Sequence, residues 1–220
     1  MKYSHETYCL QIGLKTLGFD PGAADGLRGK KTNKALADSA AVRFGSKTEA
    51  KKADGSRPPR PKPTTADKNR LFGKAGKPPI KTFVPPYGMK FSWDGKKVNK
   101  IGCHALIAAP LEAALTELSN KGDKWIKKHG LNLYAGCFNY RRARGGSTLS
   151  DHAWAIAVDI NPDANGNHQT WKAGSKGSNG TYQMPKEAVR IFQRHGFQVG
   201  FKRSNGTRRD MMHIAYVNRS

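Results

Sequence analysis

Two histidines and two aspartates carry the chemistry of this chain. His152 and Asp159 stand in Ser150-Asp151-His152-Ala153-Trp154-Ala155-Ile156-Ala157-Val158-Asp159-Ile160-Asn161, and Asp210 and His213 frame Asp210-Met211-Met212-His213. Two imidazoles and one carboxylate closing on a single cation leave a coordination position for water, which is the ligand set of a hydrolytic zinc site. Zinc brings the pKa of a bound water toward ~7, so a nucleophile becomes available at neutral pH. The fourth residue, Asp210, three positions before His213, is then expected to take a proton from that water and pass it to a leaving amine.

These residues meet only if the backbone cooperates. In an extended 155–161 segment, Ile156, Val158 and Ile160 point to one face and Ala155, Ala157, Asp159 and Asn161 to the other. Two small alanines beside Asp159 leave room for a metal and a substrate. His152 is an odd number of residues from Asp159, so a flat strand would set them on opposite faces. His152 is therefore expected in a bend before the strand, with Ser150 and Asp151 as turn residues. By the same parity, Asp210 is expected on a loop leading into the His213 strand.

The elements that must position the site read as α+β. Strand-like stretches are Leu131–Cys137, Ala153–Ile160, Gln198–Phe201 and Met212–Val217. Pro110 is expected to open a helix carrying Leu111, Leu115 and Leu118 and closing near Gly122; Pro185 opens another with Ala188, Val189 and Phe192 inward, ended by Gly196. Residues 174–181, rich in Gly and Ser, read as a flexible loop beside the site. His129 and His195 precede glycines at helix ends and read as partners of the helix dipole. His5, His104 and His168 lack ligand-spaced neighbours and read as structural or surface residues.

Upstream, residues 1–45 read as a small helical module. Leu10, Leu14 and Leu17 share one helix face that Gly18 can end, and a second helix spans about Lys31 to Phe44, burying Ala35, Leu36, Ala40 and Phe44. Residues 46–79 interleave lysines and arginines with Pro58, Pro59, Pro61, Pro63, Pro78 and Pro79. With hardly any apolar side chains, that stretch is expected to be an extended basic spacer. Residues 80–220 hold the candidate site.

Bulk composition sets further bounds. The 220 residues include 39 Lys+Arg against 16 Asp+Glu, a formal +23 that attracts polyanions, whether nucleic acid or an anionic cell-envelope polymer. Cys9, Cys103 and Cys137 are odd in number, widely spaced and form no Cys-x-x-Cys pair, so neither a disulfide framework nor a thiolate zinc site is suggested and they read as buried reduced thiols. No run approaches the ~20 apolar residues of a membrane span. The polar start, Met1-Lys2-Tyr3-Ser4-His5-Glu6-Thr7, lacks the features of a signal peptide, so action outside the cytoplasm is expected to depend on another protein.

Two resemblances sharpen these expectations. Leu17-Gly18-Phe19, then Asp25-Gly26-Leu27-Arg28-Gly29-Lys30-Lys31-Thr32 and Ala35, resemble the three-helix peptidoglycan-binding module of cell-wall hydrolases, with Thr32 placed to cap the following helix. Ser150, His152, Asp159, Asp210 and His213 match Ser-x-His-x6-Asp followed by a carboxylate-x-x-His, and so resemble the M15 family of zinc peptidases, which includes D-alanyl-D-alanine carboxypeptidases and phage endolysins. The resemblance implies a catalytic domain with a central antiparallel sheet flanked by helices. It implies Zn2+ on His152, Asp159 and His213, with Asp210 as general base and Ser150 in the substrate site. Arg141 matches the family's upstream substrate-holding arginine, with Arg144 as second choice; a guanidinium suits the carboxylates of the peptidoglycan stem peptide. An aspartate at position 210 is similar to the L-alanyl-D-glutamate endopeptidase branch. The chain departs from the family in Ala155, where glycine is usual and alanine is expected to narrow the pocket slightly. It departs again in Ile214-Ala215, where an aromatic-Glu pair that could back a ligand is common.

The leading expectation is a monomeric endolysin-type hydrolase. It acts on bacterial peptidoglycan, waits in the host cytoplasm until lysis, and then reaches the periplasm or cell wall. A D-alanyl-D-alanine carboxypeptidase using the same site is the alternative. A basic nucleic-acid-binding protein with a structural metal is a further one, but a structural zinc takes four protein ligands and no recognition helix is evident. The two-carboxylate machinery of a muramidase needs neither histidine nor metal.

Overall fold

The structure is a computed structural model describing residues 3–16, 19–43 and 58–219. The chain divides into two compact units, Met1–Ser56 and Arg57–Ser220. Among the described residues no helix is long and apolar enough to cross a membrane.

The first unit pairs helix α1 (His5–Thr16) with α2 (Lys30–Arg43). Its centre is polar as much as apolar. Leu14 and Ala35 are buried, and between them lies Gln11, 1% exposed. Its amide donates to Asp25 Oδ1, the Leu27 carbonyl and Thr32 Oγ1, while its oxygen accepts from Gly26 N–H. Thr32 was expected at a helix cap; it sits inside α2 and donates to the Pro21 carbonyl at 3.2 Å. Hydroxyl and amide thus tie the Asp-Gly turn to both helices, satisfying groups whose burial unpaired would be costly. Leu36 is half-buried. Leu17, Gly18 and Phe44, and the side chain of Ala40, lie outside the described residues.

The second unit is α+β and begins earlier than the sequence suggests. Residues from Pro58 onward fold with it, in place of an extended spacer reaching 79; residues 46–57 lie outside the described part. Thr64 caps helix α3 (Thr65–Phe72) by accepting from Asp67 N–H, and Phe72 and Lys68 are buried at 3% each. Further upstream, the Pro58 carbonyl accepts from Tyr216 Oη and the Pro61 carbonyl from Asn218 N–H, both at 2.8 Å. The composition argument failed here because Phe72, the half-buried Leu71, the stem of Lys68 and a hydrogen bond from Trp154 to Asn69 dock a two-turn helix whose backbone bonds are internal.

Strand β1 (Ile80–Phe83) pairs antiparallel with β3 (Ile101–His104), and the short β2 (Lys90–Phe91) runs parallel to β4 (Leu133–Tyr134). Helix α4 (Ala105–Ser119) starts directly after β3, with His104 Nδ1 capping Leu106 N–H. Pro110 therefore lies inside this helix, where it was expected to open it. Helix α5 (Asp123–Lys128) follows; α6 (Pro162–Asn165) and α7 (Lys186–Arg194) flank the last strands, with Pro185 at the α7 N-cap. His129 and His195 stand at the C-caps of α5 and α7. One apolar core runs through the unit, with Leu111, Leu115, Leu118, Trp154, Ile191 and Phe192 among its most buried members.

The strands that matter for the site form a three-stranded antiparallel sheet in the order β5-β7-β6: β5 (Ala157–Asp159), β7 (Arg208–Ala215) and β6 (Gln198–Lys202). β5 is shorter than the 153–160 stretch expected from composition, because the chain first makes a 3-10 turn at Asp151–Trp154.

Candidate metal centre

Three separate backbone devices bring the candidate residues together. Ser150 Oγ accepts from His152 N–H and caps the 3-10 turn on which His152 rides. Ala155 closes that turn in the left-handed region, with φ 54° and ψ 33°. The chain reverses there before β5, so the parity that separates His152 from Asp159 on a flat strand no longer applies. This also gives a physical reason for glycine at the position in the M15 pattern. The requirement is a positive φ, which costs alanine roughly 1–2 kcal/mol, more than it is room in a pocket.

Register supplies the second device. Asp159 on β5 faces His213 on β7 as a direct antiparallel partner, and directly opposed residues hold their side chains on one face with Cβ atoms ~5 Å apart. The third device is a kink inside β7. Asp210 belongs to the strand and not to a preceding loop as expected, but its φ is 54°. Opposite it the β6–β7 register slips between Val199 and Phe201, around Gly200 with φ 62°. A Cβ on Gly200 would come within 2.6 Å of the Arg209 carbonyl oxygen. The bulge breaks the two-residue alternation, as bulges do when they re-aim a side chain. Asp210 and His213 need not face apart.

The resulting cluster is buried. His152, Asp159 and His213 each present one ligand atom, and these atoms lie within 4.8 Å of one another. His152 Nδ1 donates to the Cys137 carbonyl at 2.5 Å, which leaves Nε2 with the lone pair. That Nε2 is 3.2 Å from Asp159 Oδ2 but has no hydrogen-bond partner among the described residues. His213 lies between two carboxylates, with Nδ1 3.3 Å from Asp159 Oδ1 and Nε2 3.2 Å from Asp151 Oδ2. A buried imidazole nitrogen without a partner, facing a carboxylate and a second imidazole, fits a divalent cation. Nitrogen and oxygen donors of this kind suit zinc.

The electrostatics of the metal-free cluster follow from the same contacts. Burial opposes charge on Asp159, yet the His152 and His213 imidazoles hold its carboxyl well below the usual carboxylate range. Burial also disfavours an imidazolium at His213, but its hydrogen bonds to Asp151 and Asp159 push it up to about 9. Asp210 behaves oppositely. Burial lifts its carboxyl above the ordinary value; His213 pulls it down and the Asp159 charge pushes it up again. Asp210 Oδ1 is buried and without a hydrogen-bond partner among the described residues.

Of the expected substrate residues, Arg141 and Ser150 are tied to the segment that carries His152. Arg141 is half-buried and Arg144 exposed. Arg141 lines an open hollow with Thr65, Tyr140, Arg142 and Thr148, and its carbonyl accepts from Ser150 N–H at 3.0 Å, two residues from His152. Ser150 is buried and its hydroxyl serves the 3-10 turn. Asn161 turns away from the cluster, donating to the His129 carbonyl and to Thr181 Oγ1. Through Asn161, residues 179 and 181 of the expected flexible loop are tied down.

Sequence reasoning missed four residues. Asp151, read as a turn carboxylate, is 4% exposed. It accepts from Lys68 Nζ at 3.0 Å and from Arg219 Nη2. Burial works against its charge, but His213, Arg219 and Lys68 hold its carboxyl far below the usual range. No local pattern links residues 68, 151 and 219. Only the adjacency of Asp151 to His152 hinted at them. Cys137 also serves the site, through its carbonyl. Its thiol donates to the Ala155 carbonyl, and burial keeps it well above the usual thiol range.

With the geometry in place, comparison with known proteins adds one finding. An M15 peptidase family model, described as D-alanyl-D-alanine carboxypeptidase, matches residues 144–216. That stretch is about a third of the chain. It includes Arg144, Ser150, His152, Asp159, Asp210 and His213, and begins just after Arg141. No curated protein and no solved structure matches the chain. The family match supports a peptidase of the M15 type.

Proposed function

We propose that the chain is a peptidoglycan endopeptidase that cuts the stem peptide at the L-Ala-D-Glu bond. The single observation that supports it most is the buried trio His152, Asp159 and His213, with ligand atoms within 4.8 Å on three different segments, inside the stretch that matches the M15 model. Those three residues would hold Zn2+. When bound, the ion supplies Lewis acidity and makes water a competent nucleophile near pH 7.

The remaining chemistry belongs to the chain. Asp210, lifted toward neutrality by burial, accepts a proton from the attacking water and returns it to the departing amine. Among the described residues, no competing donor meets its Oδ1. Arg141 binds a substrate carboxylate in the hollow it lines with Tyr140 and Thr148, and the exposed Arg144 is the second choice for that role. Residues 1–45 bind the wall, and a tether between binding module and hydrolase raises the local concentration of substrate. The formal +23 favours an anionic envelope. In this reading the protein acts as a monomeric phage endolysin, held in the host cytoplasm until lysis opens the way to the wall.

The description of the matching family favours a second reading, a D-alanyl-D-alanine carboxypeptidase on the same residues. Mass spectrometry of digested sacculi separates the two. New alanine C-termini on the muramyl side support the endopeptidase, free D-alanine supports the carboxypeptidase, and intact stem peptides overturn both.

A further inference from the structure

Asp151 is a charge that the hydrolysis scheme leaves unused, and the chain surrounds it with more partners than a turn needs. Its Oδ1 accepts from Lys68 Nζ at 3.0 Å; its Oδ2 accepts from Arg219 Nη2 and lies 3.2 Å from His213 Nε2. The side chains of Lys68 and Asp151 are only 4% and 3% exposed. Both cations are themselves fixed by aromatic rings. Lys68 Nζ sits 4.3 Å from the centroid of the Trp154 ring, and the Arg219 guanidinium 4.4 Å from that of Phe201. Phe201 in turn stacks on His213, with centroids 5.4 Å apart and planes 17° from parallel.

Burying a cation and a carboxylate, with a second cation half-buried beside them, is a costly way to fill space, since apolar side chains of similar size would pack there at no desolvation cost. What the arrangement achieves is a carboxylate held in one orientation by partners on both of its oxygens. His213 Nε2–H can then point only at Oδ2, which leaves Nδ1, on the Asp159 side, as the atom free to ligate. His152 receives the equivalent support from a neutral acceptor, the Cys137 carbonyl. The two imidazoles are therefore unequal, one backed by a peptide oxygen and the other by a full charge.

We propose that Asp151, clamped by Lys68 and Arg219, is a positioning residue that fixes the His213 tautomer and strengthens His213 as a zinc ligand. This rests on the zinc reading above. The clamp would take over the backing role expected of a glutamate just after the histidine, where this chain has Ile214-Ala215. It draws on α3 and on the segment after β7, elements well outside the strands that hold the ligands. Carboxylates that accept from a ligating imidazole typically change metal affinity 10–100-fold when removed.

The test is a chelator competition with Zn2+ on the full chain, comparing wild type with Asp151→Asn and Arg219→Gln, alongside 15N shifts of the histidine rings. Asp151→Asn is expected to weaken zinc about 10–100-fold and to disturb the His213 ring signals while those of His152 keep their wild-type pattern. Arg219→Gln is expected to give a smaller loss of the same sign, and it decides the matter if the Asn variant does not fold. A folded variant pair that binds zinc as tightly as wild type overturns the proposal, even if both melt earlier without metal, because that pattern means a purely structural clamp. Wild type that takes up no zinc overturns instead the metal reading on which the proposal rests.

Discussion

Replacing Asp210 with Asn should separate catalysis from folding, because burial outweighs the pull of His213 on that carboxylate and leaves its charge disfavoured. It is 8% exposed, its Oδ1 has no hydrogen-bond partner among the described residues, and burial raises its pKa. Asparagine keeps the shape and, like aspartate, tolerates the left-handed φ of 54°, so backbone strain is unchanged. What changes is the charge. Loss of a positioned general base is expected to lower turnover by ~10²–10⁴-fold. Only the cost of burying the charge is relieved, since the amide keeps one oxygen unpaired and adds N–H donors, so the fold should gain no more than about 1 kcal/mol, or about 2–4 °C for a unit of this size. The sign with pH follows from linkage. A folded-state pKa above the unfolded value means that the native state holds the proton longer. Wild-type stability therefore falls as pH rises from the ordinary carboxylate value through the raised one. The advantage of Asp210→Asn in metal-free protein should be absent below about pH 4 and full at neutrality. Turnover of muropeptides, zinc content by mass spectrometry and melting curves at several pH values measure all three. A variant that loses zinc would make Asp210 a ligand. One that melts earlier at neutral pH would refute the claim that burial leaves the charge disfavoured.

Four further outcomes follow from the structure. His152→Ala and His213→Ala should each bring bound zinc below one equivalent and abolish hydrolysis together; activity surviving without metal would place the chemistry elsewhere. Ala155→Gly should change stability by no more than ~1 kcal/mol, because relief of the positive φ is offset by a lost buried methyl and a more flexible unfolded chain. Ala155→Val should cost upward of ~2 kcal/mol by urea titration, through overpacking and strain in a site that is 0% exposed. Phe72→Ala should cost about 3–5 kcal/mol if α3 is part of the hydrolase unit, whereas a mutation in an extended spacer would leave the urea midpoint unchanged.

Much of the site was legible in the sequence because metal ligation restricts residue types severely. Few patterns other than a metal centre put His, Asp, Asp and His at these spacings, and parity alone showed that a straight strand could not hold them. Parity did not reveal how the chain bends. For His152 it uses a capped 3-10 turn ended by Ala155 in the left-handed region; for Asp210 it uses a kink within β7, opposite Gly200. The helix at Thr65–Phe72 was invisible for a different reason. Its neighbours are proline and lysine, and the windowed average conceals the buried phenylalanine and the few other side chains that dock it.

By itself, then, the sequence determined the chemical inventory: which side chains can ligate a metal, which further carboxylate accompanies them, and that α and β elements alternate around them. The tertiary structure decided which charges meet. Lys68, Asp151 and Arg219 are 83 and 68 residues apart along the chain, and no local period or motif couples positions so distant. Their pairing, like the facing of Asp159 and His213, depends on strand register and helix docking. Those are fixed by burial of the whole core, not by any short stretch of residues.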